Sequence, residues 1–282
     1  MRARRGMAAL ALAAGVAAGV AGGVAAGMAA GAPAAPALPS DYRLEMDMRF
    51  LGMSIGRVEL EATAAGTAIE QQLSVETTGI VERLTGYRSE VQASGRRDGA
   101  TVVPSRFSTL SENKRATREV RFRYDAAGRV VDLASFKRGR PERTEVPPAL
   151  RHDTIDPLTL VPAVRAWLFD VRDAGAGAAT TFAVFDGRRR YDIEARLVDR
   201  RVAPFADGPT PIIEATLTLV PRAGFDDDDS DTRRELTVLV GDDALLLPLI
   251  LRTAPSSGLQ AALYTRRLCT GGETPSCREL SY

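Results

Sequence analysis

The chain has 282 residues, with 37 Lys and Arg against 36 Asp and Glu, one His, two Cys and one Trp. Without the first 37 residues, which carry three arginines and no acid, 34 basic and 36 acidic groups remain, a net charge of −2. This balance argues against nucleic acid as a partner, because such binding needs a clear positive excess. Two cysteines and one histidine exclude a zinc ribbon, an iron–sulfur cluster and a multi-histidine site, so no metal or cofactor is predicted.

The N-terminal segment, residues 1–37, has the pattern of an export signal. Its arginines precede an uncharged run rich in Ala and Gly, which ends in Ala35-Pro36-Ala37, a cleavage site of the A-x-A type. Cleavage is expected after Ala37, with Gly31 as the second choice, and the Arg4-Arg5 pair leaves Sec and twin-arginine export as alternatives. A retained membrane anchor is disfavoured by the low hydrophobicity of Ala and Gly. We therefore predict a periplasmic protein that is soluble after signal cleavage.

If the protein is exported, its two cysteines are expected to form a structural disulfide. Cys269 and Cys277 enclose a short loop that contains Gly271, Gly272 and Pro275. Cysteines this close in sequence are expected to pair in an oxidising compartment, and such a disulfide stabilises a fold by about 2–3 kcal/mol. A redox-active pair is the alternative, but it lacks C-x-x-C spacing and a helix N-terminus that would lower a thiol pKa.

Alternation of apolar and polar residues with a period of two dominates the rest of the chain. From Tyr42 to Phe50, five apolar residues alternate with four charged ones, which predicts a strand with one buried and one solvated face. Asp186-Gly187, between two such segments, is typical of a β-hairpin. Further strands are predicted at 58–62, 68–78, 87–94, 101–110, 117–124, 130–137, 180–185, 190–198, 211–220, 233–240, 247–253 and 259–265.

One helix interrupts the strands. Asp156 suits its N-cap, Pro157 suits the first helical position, and apolar residues recur with a helical period as far as Val171. The apolar face, which includes Trp167, is expected to pack on the apolar side of the sheet. The fold class is therefore mainly β: a strongly curved antiparallel sheet, or an open or closed β-barrel, with one helix packed on or in it.

We expect a single β-rich domain over residues 38–282, with two sheets at 41–137 and 180–265 as the alternative. A curled sheet with this many strands encloses space that either the helix or an apolar ligand must fill. Plain core packing is the competing interpretation for the inward-facing residues. The residues predicted to line a ligand site are Met46, Met48, Phe50, Phe122, Tyr124, Trp167, Leu217, Leu219 and Leu263.

The usual catalytic patterns are missing, and the protein is not expected to be an enzyme. His152 is the only imidazole base, and no G-x-S-x-G motif accompanies it. The acidic run at 225–231 lacks the spacing of a calcium loop and is interpreted as a solvated hairpin. Arginine groups near strand ends are interpreted as polar decoration, with contacts to anionic lipid headgroups or polysaccharide as the alternative. These groups lie at 188–190, 200–201, 233–234 and 266–267.

Six short segments are distributed over nearly the whole chain after the predicted export signal. They are Phe50-Leu51-Gly52-Met53-Ser54-Ile55-Gly56, Val103-Pro104-Ser105-Arg106-Phe107, Val120-Arg121-Phe122-Arg123-Tyr124-Asp125, Asp153-Thr154-Ile155-Asp156-Pro157-Leu158, Phe185-Asp186-Gly187-Arg188-Arg189-Arg190-Tyr191, and Val240-Gly241-Asp242-Asp243 followed by Leu247-Pro248. In this order they resemble the DUF3108 family, exported bacterial proteins of undefined function. Pro157, where the family more often has Ser, and the acidic insert at 226–231 depart from its pattern. The resemblance implies an envelope protein of mostly antiparallel β structure and supplies no catalytic residue.

These observations lead to a ranked set of functional hypotheses. The first is a soluble periplasmic protein that binds or carries a lipid or another apolar component of the envelope. The alternatives are an envelope structural or interaction protein with a filled core, which would bind a protein partner, and a hydrolase of envelope polymer acting through His152 or paired acids. A filled interior favours the interaction protein, and an empty lined cavity favours the carrier.

Overall fold

The computed structural model describes residues 41–99, 101–226, 233–253, 260–271 and 275–282. The predicted export signal and most of the predicted acidic hairpin lie outside these ranges. The helices are α1 Gly79–Thr85 and α2 Leu160–Val171. The strands are β1 Tyr42–Phe50, β2 Met53–Ala65, β3 Ala68–Thr77, β4 Arg88–Asp98, β5 Thr101–Asn113, β6 Ala116–Tyr124, β7 Val130–Lys137, β8 Arg140–Pro141, β9 Ala179–Phe185, β10 Arg190–Phe205, β11 Gly208–Ala223, β12 Arg234–Gly241, β13 Pro248–Thr253, β14 Ala261–Thr270 and β15 Ser276–Glu279.

All of these strands belong to one antiparallel sheet. Its order is β8-β7-β6-β5-β4-β3-β2-β1-β14-β13-β12-β11-β10-β9, and β15 pairs with β14 beside this path. The N-terminal strands β1–β8 and the C-terminal strands β9–β15 meet where β1 pairs with β14, with Phe50 opposite Ala261. The mainly β prediction is therefore confirmed, and the two segments considered as separate sheets are continuous with each other.

The predicted alternation places one side of each strand in the core. On β1, Tyr42, Leu44, Met46 and Met48 are buried, while the charged residues between them face outward. The same pattern continues in β2 and β3. Because burying a large apolar side chain stabilises a fold by about 1.5–3 kcal/mol, the buried inner face of the sheet contributes strongly to its stability.

The gap between the two ends of the sheet is filled by residues 152–155. In the part of the chain that the structure describes, β8 and β9 do not pair with each other. Instead, His152 forms a β-bridge with Arg129, and Ile155 forms one with Val184. The amide of Ile155 donates to the carbonyl of Ala183 at 3.0 Å. This segment joins the N-terminal strands to the C-terminal strands on the side opposite the β1–β14 pair.

Helix α2 lies against the inner face of the curved sheet. Leu160, Val164 and Leu168 are buried there. The helix begins at Leu160 and not at Asp156 or Pro157 as the sequence predicted. The reason is local: the Asp156 carboxylate accepts the amides of Leu158 and Thr159 at 2.9 and 3.0 Å, which holds a separate turn before the helix.

Helix α1 was not predicted. It lies between β3 and β4, and it is followed by Gly86, whose φ of 56° is the left-handed conformation that glycine adopts without strain. The Gly86 amide donates to the carbonyl of Glu82 at 2.7 Å. No residue of α1 is buried, so the core periodicity that revealed α2 is missing from it.

A second, smaller apolar cluster lies on the outer face of β10–β13. Its buried members include Ile212, Leu239 and Leu249. The C-terminal tail covers them, because Cys269 forms the predicted disulfide with Cys277, at an S–S distance of 2.04 Å. This bond holds β15 against β14 and directs residues 280–282 over the cluster.

Candidate functional site

The interior of the sheet is largely filled. A cavity of about 50 Å³ remains between α2 and strands β1, β2 and β11–β13, and its wall is apolar apart from Arg165. Ligand pockets for small molecules have volumes of about 300–1,000 Å³. The cavity is therefore much smaller than a lipid or a drug-sized ligand requires.

The predicted ligand-lining residues all face this interior or its margin. Met46 and Leu217 line the cavity. Met48, Phe122, Leu219 and Leu263 are buried in the core around it. Phe50, Tyr124 and Trp167 are partly buried and pack against the core, and the Trp167 ring meets Phe182 edge-on at 6.5 Å. Whether any of them contacts a ligand stays a prediction.

One end of the cavity is closed by a buried arginine. Arg165 of α2 donates from Nε and Nη2 to the carbonyl of Leu245, at 2.9 and 2.6 Å. Its guanidinium lies 4.9 Å from the centre of the Tyr42 ring, and burial raises the pKa of that tyrosine. The contacts connect the helix to the β12–β13 loop, so they hold α2 in the interior.

A second buried polar group lies where α2 is attached to the joining segment. Asp156 is fully buried, and burial raises the pKa of its carboxyl from 3.8 to about 6. Its Oδ2 accepts the Thr159 hydroxyl at 2.7 Å, while Oδ1 accepts two amides. All of these bonds are made within its own turn, which is the geometry of a capping residue and not of an acid or base that reaches a substrate.

A concave surface lies on the other side of the sheet. A groove of about 690 Å³ crosses the outer face of β2–β6, and we call it the outer groove. Strand register aligns its side chains in two rows across the strands. One row is Glu61, Gln72, Gln92, Ser108 and Arg121, and the other is Thr63, Glu70, Ser94, Arg106 and Arg123.

Charge changes sign along the outer groove. Glu61 and Glu70 lie at the β2–β3 end, and three arginines lie at the β5–β6 end. Arg121 pairs with Glu119 at 3.3 Å and Arg123 pairs with Asp132. Arg106 forms no salt bridge within the described chain. The groove is therefore acidic at one end and basic at the other.

The middle of the outer groove has hydrogen-bonding capacity that the fold does not use. Gln72, Gln92 and Ser108 make no side-chain hydrogen bond to the described residues, whereas Ser94 is bonded to Ser105 at 3.1 Å. Two amides and a hydroxyl thus face solvent between the charged ends. These residues were not predicted as a site, because only the register of four hairpins brings them together, although each strand shows a polar outer face.

The other sequence candidates do not assemble into a site. His152 is exposed, and no side-chain hydrogen bond or salt bridge involves it in the described ranges. No group of three or more His, Cys, Asp or Glu is arranged to hold a metal in the same ranges. None of the described helices is long and apolar enough to cross a membrane.

The arginine groups are mostly ion-paired. Arg190 pairs with Asp192 at 2.7 Å, and Arg201 pairs with Glu214 at 2.8 Å. Further pairs are Arg200 with Asp173, Arg233 with Glu194 and Arg267 with Glu279. These contacts support the interpretation of the groups as polar decoration of the sheet.

The fold and its surfaces define a barrel-like antiparallel β protein with an internal helix and a polar groove on its outer face. The family model described as a protein of unknown function, DUF3108, matches residues 41–263, so the chain belongs to the DUF3108 family. No curated protein shows a significant match. A similar solved structure is the crystal structure of a beta-barrel-like protein of the domain of unknown function DUF1849 from Brucella abortus. It has a TM-score of 0.48 and 8% sequence identity, and the match covers 84% of this chain and 99% of that chain.

Proposed function

We propose that the protein is a non-catalytic binding protein of the bacterial envelope that holds an extended peptide segment of a partner protein in the outer groove. The observation that carries the proposal is the groove itself, a volume of about 690 Å³ lined by side chains with unused donors and acceptors. The cavity between α2 and the inner face of the sheet has a volume of about 50 Å³, which is too small for a lipid. Export is part of the proposal, and the signal pattern of residues 1–37 and the Cys269–Cys277 disulfide support it.

A peptide fits the dimensions of the outer groove. The groove crosses five strands, and strands lie about 4.8 Å apart, so its length is about 19 Å. An extended chain rises about 3.3 Å per residue, which gives room for about six residues. The side-chain amides of Gln72 and Gln92 and the hydroxyl of Ser108 suit the alternating donors and acceptors of a peptide backbone.

Charge would set the direction of the bound segment. The glutamates at one end favour a basic residue, and the arginines at the other favour an acidic residue or a carboxylate. Arg106 has the largest expected effect, because its guanidinium has no carboxylate partner in the described chain to displace. The proposed ligand is therefore a segment with a basic residue and an acidic residue about five positions apart.

Site-specific photo-crosslinking tests this proposal. A photoreactive amino acid replaces Gln92 at the centre of the groove, and a matched variant carries it at Arg196 on the outer face of β10. We expect a discrete crosslinked partner in envelope extracts only from position 92. The Arg106→Glu/Arg123→Glu variant should lose that product, and a synthetic peptide covering the crosslinked segment should bind the wild type at least about tenfold more tightly than the variant. Identical products from both positions would refute the proposal.

A second candidate is the carrier of a lipid or apolar small molecule, and the observation behind it is the apolar wall of the cavity, not its present volume. Its wall contains Met46, Leu160, Leu168 and Leu217, and a guest of lipid size would have to displace α2 and break the Arg165–Leu245 contacts. Native mass spectrometry of gently purified protein tests this candidate. A bound lipid that is lost in a Val164→Phe variant, in which the new ring fills the cavity, would support it over the peptide groove.

A further inference from the structure

Large apolar side chains are exposed together at one end of the sheet. Leu51 and Met53 in the β1–β2 hairpin are 53% and 62% exposed, and Ile80 and Leu84 of α1 are 72% and 73% exposed. Four such side chains on two adjacent elements are unusual on a monomer, where exposed apolar residues are normally scattered. Their clustering indicates a contact surface.

Backbone hydrogen bonds bring the two elements together. The amide of Thr78, just before α1, donates to the carbonyl of Ile55 at 2.9 Å, two residues after Met53. On the other side of α1, the amide of Lys114 donates to the carbonyl of Thr85 at 2.9 Å. The hairpin, the helix and the β5–β6 turn therefore form one continuous edge.

Basic residues extend this edge on one side. Arg83 is on α1, Lys114 and Arg115 are in the β5–β6 turn, and Arg138 and Arg140 are in the β7–β8 hairpin. Arg138 reaches the neighbouring turn by donating from Nε to the carbonyl of Arg115 at 3.1 Å. We call the four apolar and five basic residues together the α1 edge.

The cations of the α1 edge are not neutralised by the fold. All five are exposed, and within the described ranges none of them forms a salt bridge to a carboxylate. Glu82 is the acidic residue of α1, so the edge keeps a clear positive excess. This contrasts with the arginine groups of β10–β15, which pair with aspartates and glutamates.

We propose that the α1 edge docks on the surface of an anionic phospholipid bilayer. The apolar side chains would enter the boundary between headgroups and acyl chains, as those of interfacial helices do. The five cations would lie at the level of the headgroups, where each Lys or Arg near an anionic surface is attracted to it. The exposed apolar side chains of the α1 edge match the acyl-chain boundary of such a bilayer. Its cations, which have no carboxylate partner among the described residues, match the negative charge of the headgroups. The outer groove lies further along the same strands, away from this end of the sheet. The membrane proposal therefore does not depend on the peptide proposal.

Vesicle flotation tests the proposal directly. The exported, purified protein is mixed with vesicles of phosphatidylethanolamine and phosphatidylglycerol, or of phosphatidylcholine alone. We expect binding to the anionic vesicles that weakens as salt is raised, because salt screens exposed charges. The Ile80→Ser/Leu84→Ser variant and the Arg115→Glu/Arg140→Glu variant should each bind at least about tenfold more weakly.

Matched variants control for composition and charge. Val202→Ser removes a side chain that is also 62% exposed but lies on β10, and Arg96→Glu/Arg196→Glu makes the same charge change away from the α1 edge. Both should bind vesicles like the wild type. Absence of wild-type binding at low salt, or equal loss in the control variants, would overturn the proposal. A third outcome would also overturn it: the wild type does not bind vesicles, and Ile80→Ser/Leu84→Ser abolishes a defined protein complex. The α1 edge would then be a protein interface.

Discussion

Two parts of the outer surface, β10–β15 and the α1 edge, both combine apolar side chains with basic ones. They differ in whether those side chains are covered and ion-paired. On β10–β15, the apolar cluster is covered by the C-terminal tail, where the Tyr282 ring meets Phe205 at 5.2 Å and Tyr264 at 5.3 Å. The arginines beside it pair with carboxylates, as Arg201 does with Glu214. At the α1 edge, the apolar side chains are exposed, and the cations form no salt bridge to the residues that the structure describes.

The difference shows that composition does not decide what a surface does. On β10–β15, the tail covers the apolar cluster and carboxylates pair with the arginines. That surface therefore contributes to stability and offers few free groups to a partner. Bare apolar groups and unpaired charges contribute little to stability and remain available for binding. The first surface should therefore respond to mutation through unfolding, and the second through binding alone.

The largest effect is expected at the segment that joins the two groups of strands. Burial raises the pKa of Asp156 from 3.8 to about 6, so the folded protein holds this proton more tightly than the unfolded chain. Its contribution to stability is full below the unfolded pKa and is lost as the pH rises through about 6, a change of roughly 3 kcal/mol. Asp156→Asn keeps an oxygen for the two amides and should remove this dependence.

Urea unfolding at about pH 4 and about pH 7 checks the sign. The free energy of unfolding of Asp156→Asn relative to the wild type should rise between these two values. Asp153→Asn, the same exchange at an exposed residue of the joining segment, is the control. A wild type that becomes more stable relative to Asp156→Asn as the pH rises would contradict the assignment.

Removing the disulfide should be nearly as costly. In the Cys269→Ser/Cys277→Ser variant, β15 loses its covalent connection to β14, and the unfolded chain gains the entropy of the open loop. The expected loss in the free energy of unfolding is about 2–3 kcal/mol. Denaturant titration measures it, and binding of an apolar dye should increase because the cluster under the tail becomes exposed. Unchanged dye binding would mean that the tail stays in place without the disulfide.

The sequence was sufficient for thirteen of the strands, α2 and the disulfide, because each has a local signal. The short strands β8 and β15 were not predicted, since all of their residues are exposed and show no alternation of buried and solvated positions. Alternation in β1 and the helical period up to Val171 reflect burial on one face, and the bounds of β7, Val130–Lys137, were predicted without error. The start of α2 was wrong because the side-chain bonds of Asp156 compete with the helix. The outer groove was missed since it depends on register between strands, and α1 was missed since none of its residues is buried.

A single hydrogen bond can be removed from the covered surface. The Tyr282 hydroxyl donates to the carbonyl of Leu249 at 3.0 Å, and Tyr282→Phe removes this bond while keeping the ring contacts. The expected loss of stability is about 1 kcal/mol. Thermal or urea unfolding measures it, with Tyr87→Phe, at a residue that donates no side-chain hydrogen bond in the described chain, as the control. Equal effects of the two variants would show that the tail does not depend on this bond.

The smallest effect on the free energy of unfolding is expected at the α1 edge. A small change there is what allows the vesicle-binding result to be interpreted. Ile80→Ser/Leu84→Ser exchanges two side chains that are more than 70% exposed, so the free energy of unfolding should change by no more than about 0.5 kcal/mol. Phe205→Ala, which opens the covered cluster, should cost more than about 1 kcal/mol under the same conditions. If the α1 variant were as destabilised as Phe205→Ala, the edge would belong to the folded core and a loss of vesicle binding would have no separate meaning. A stable α1 variant makes the binding result interpretable, because the surface has then been altered without altering the fold.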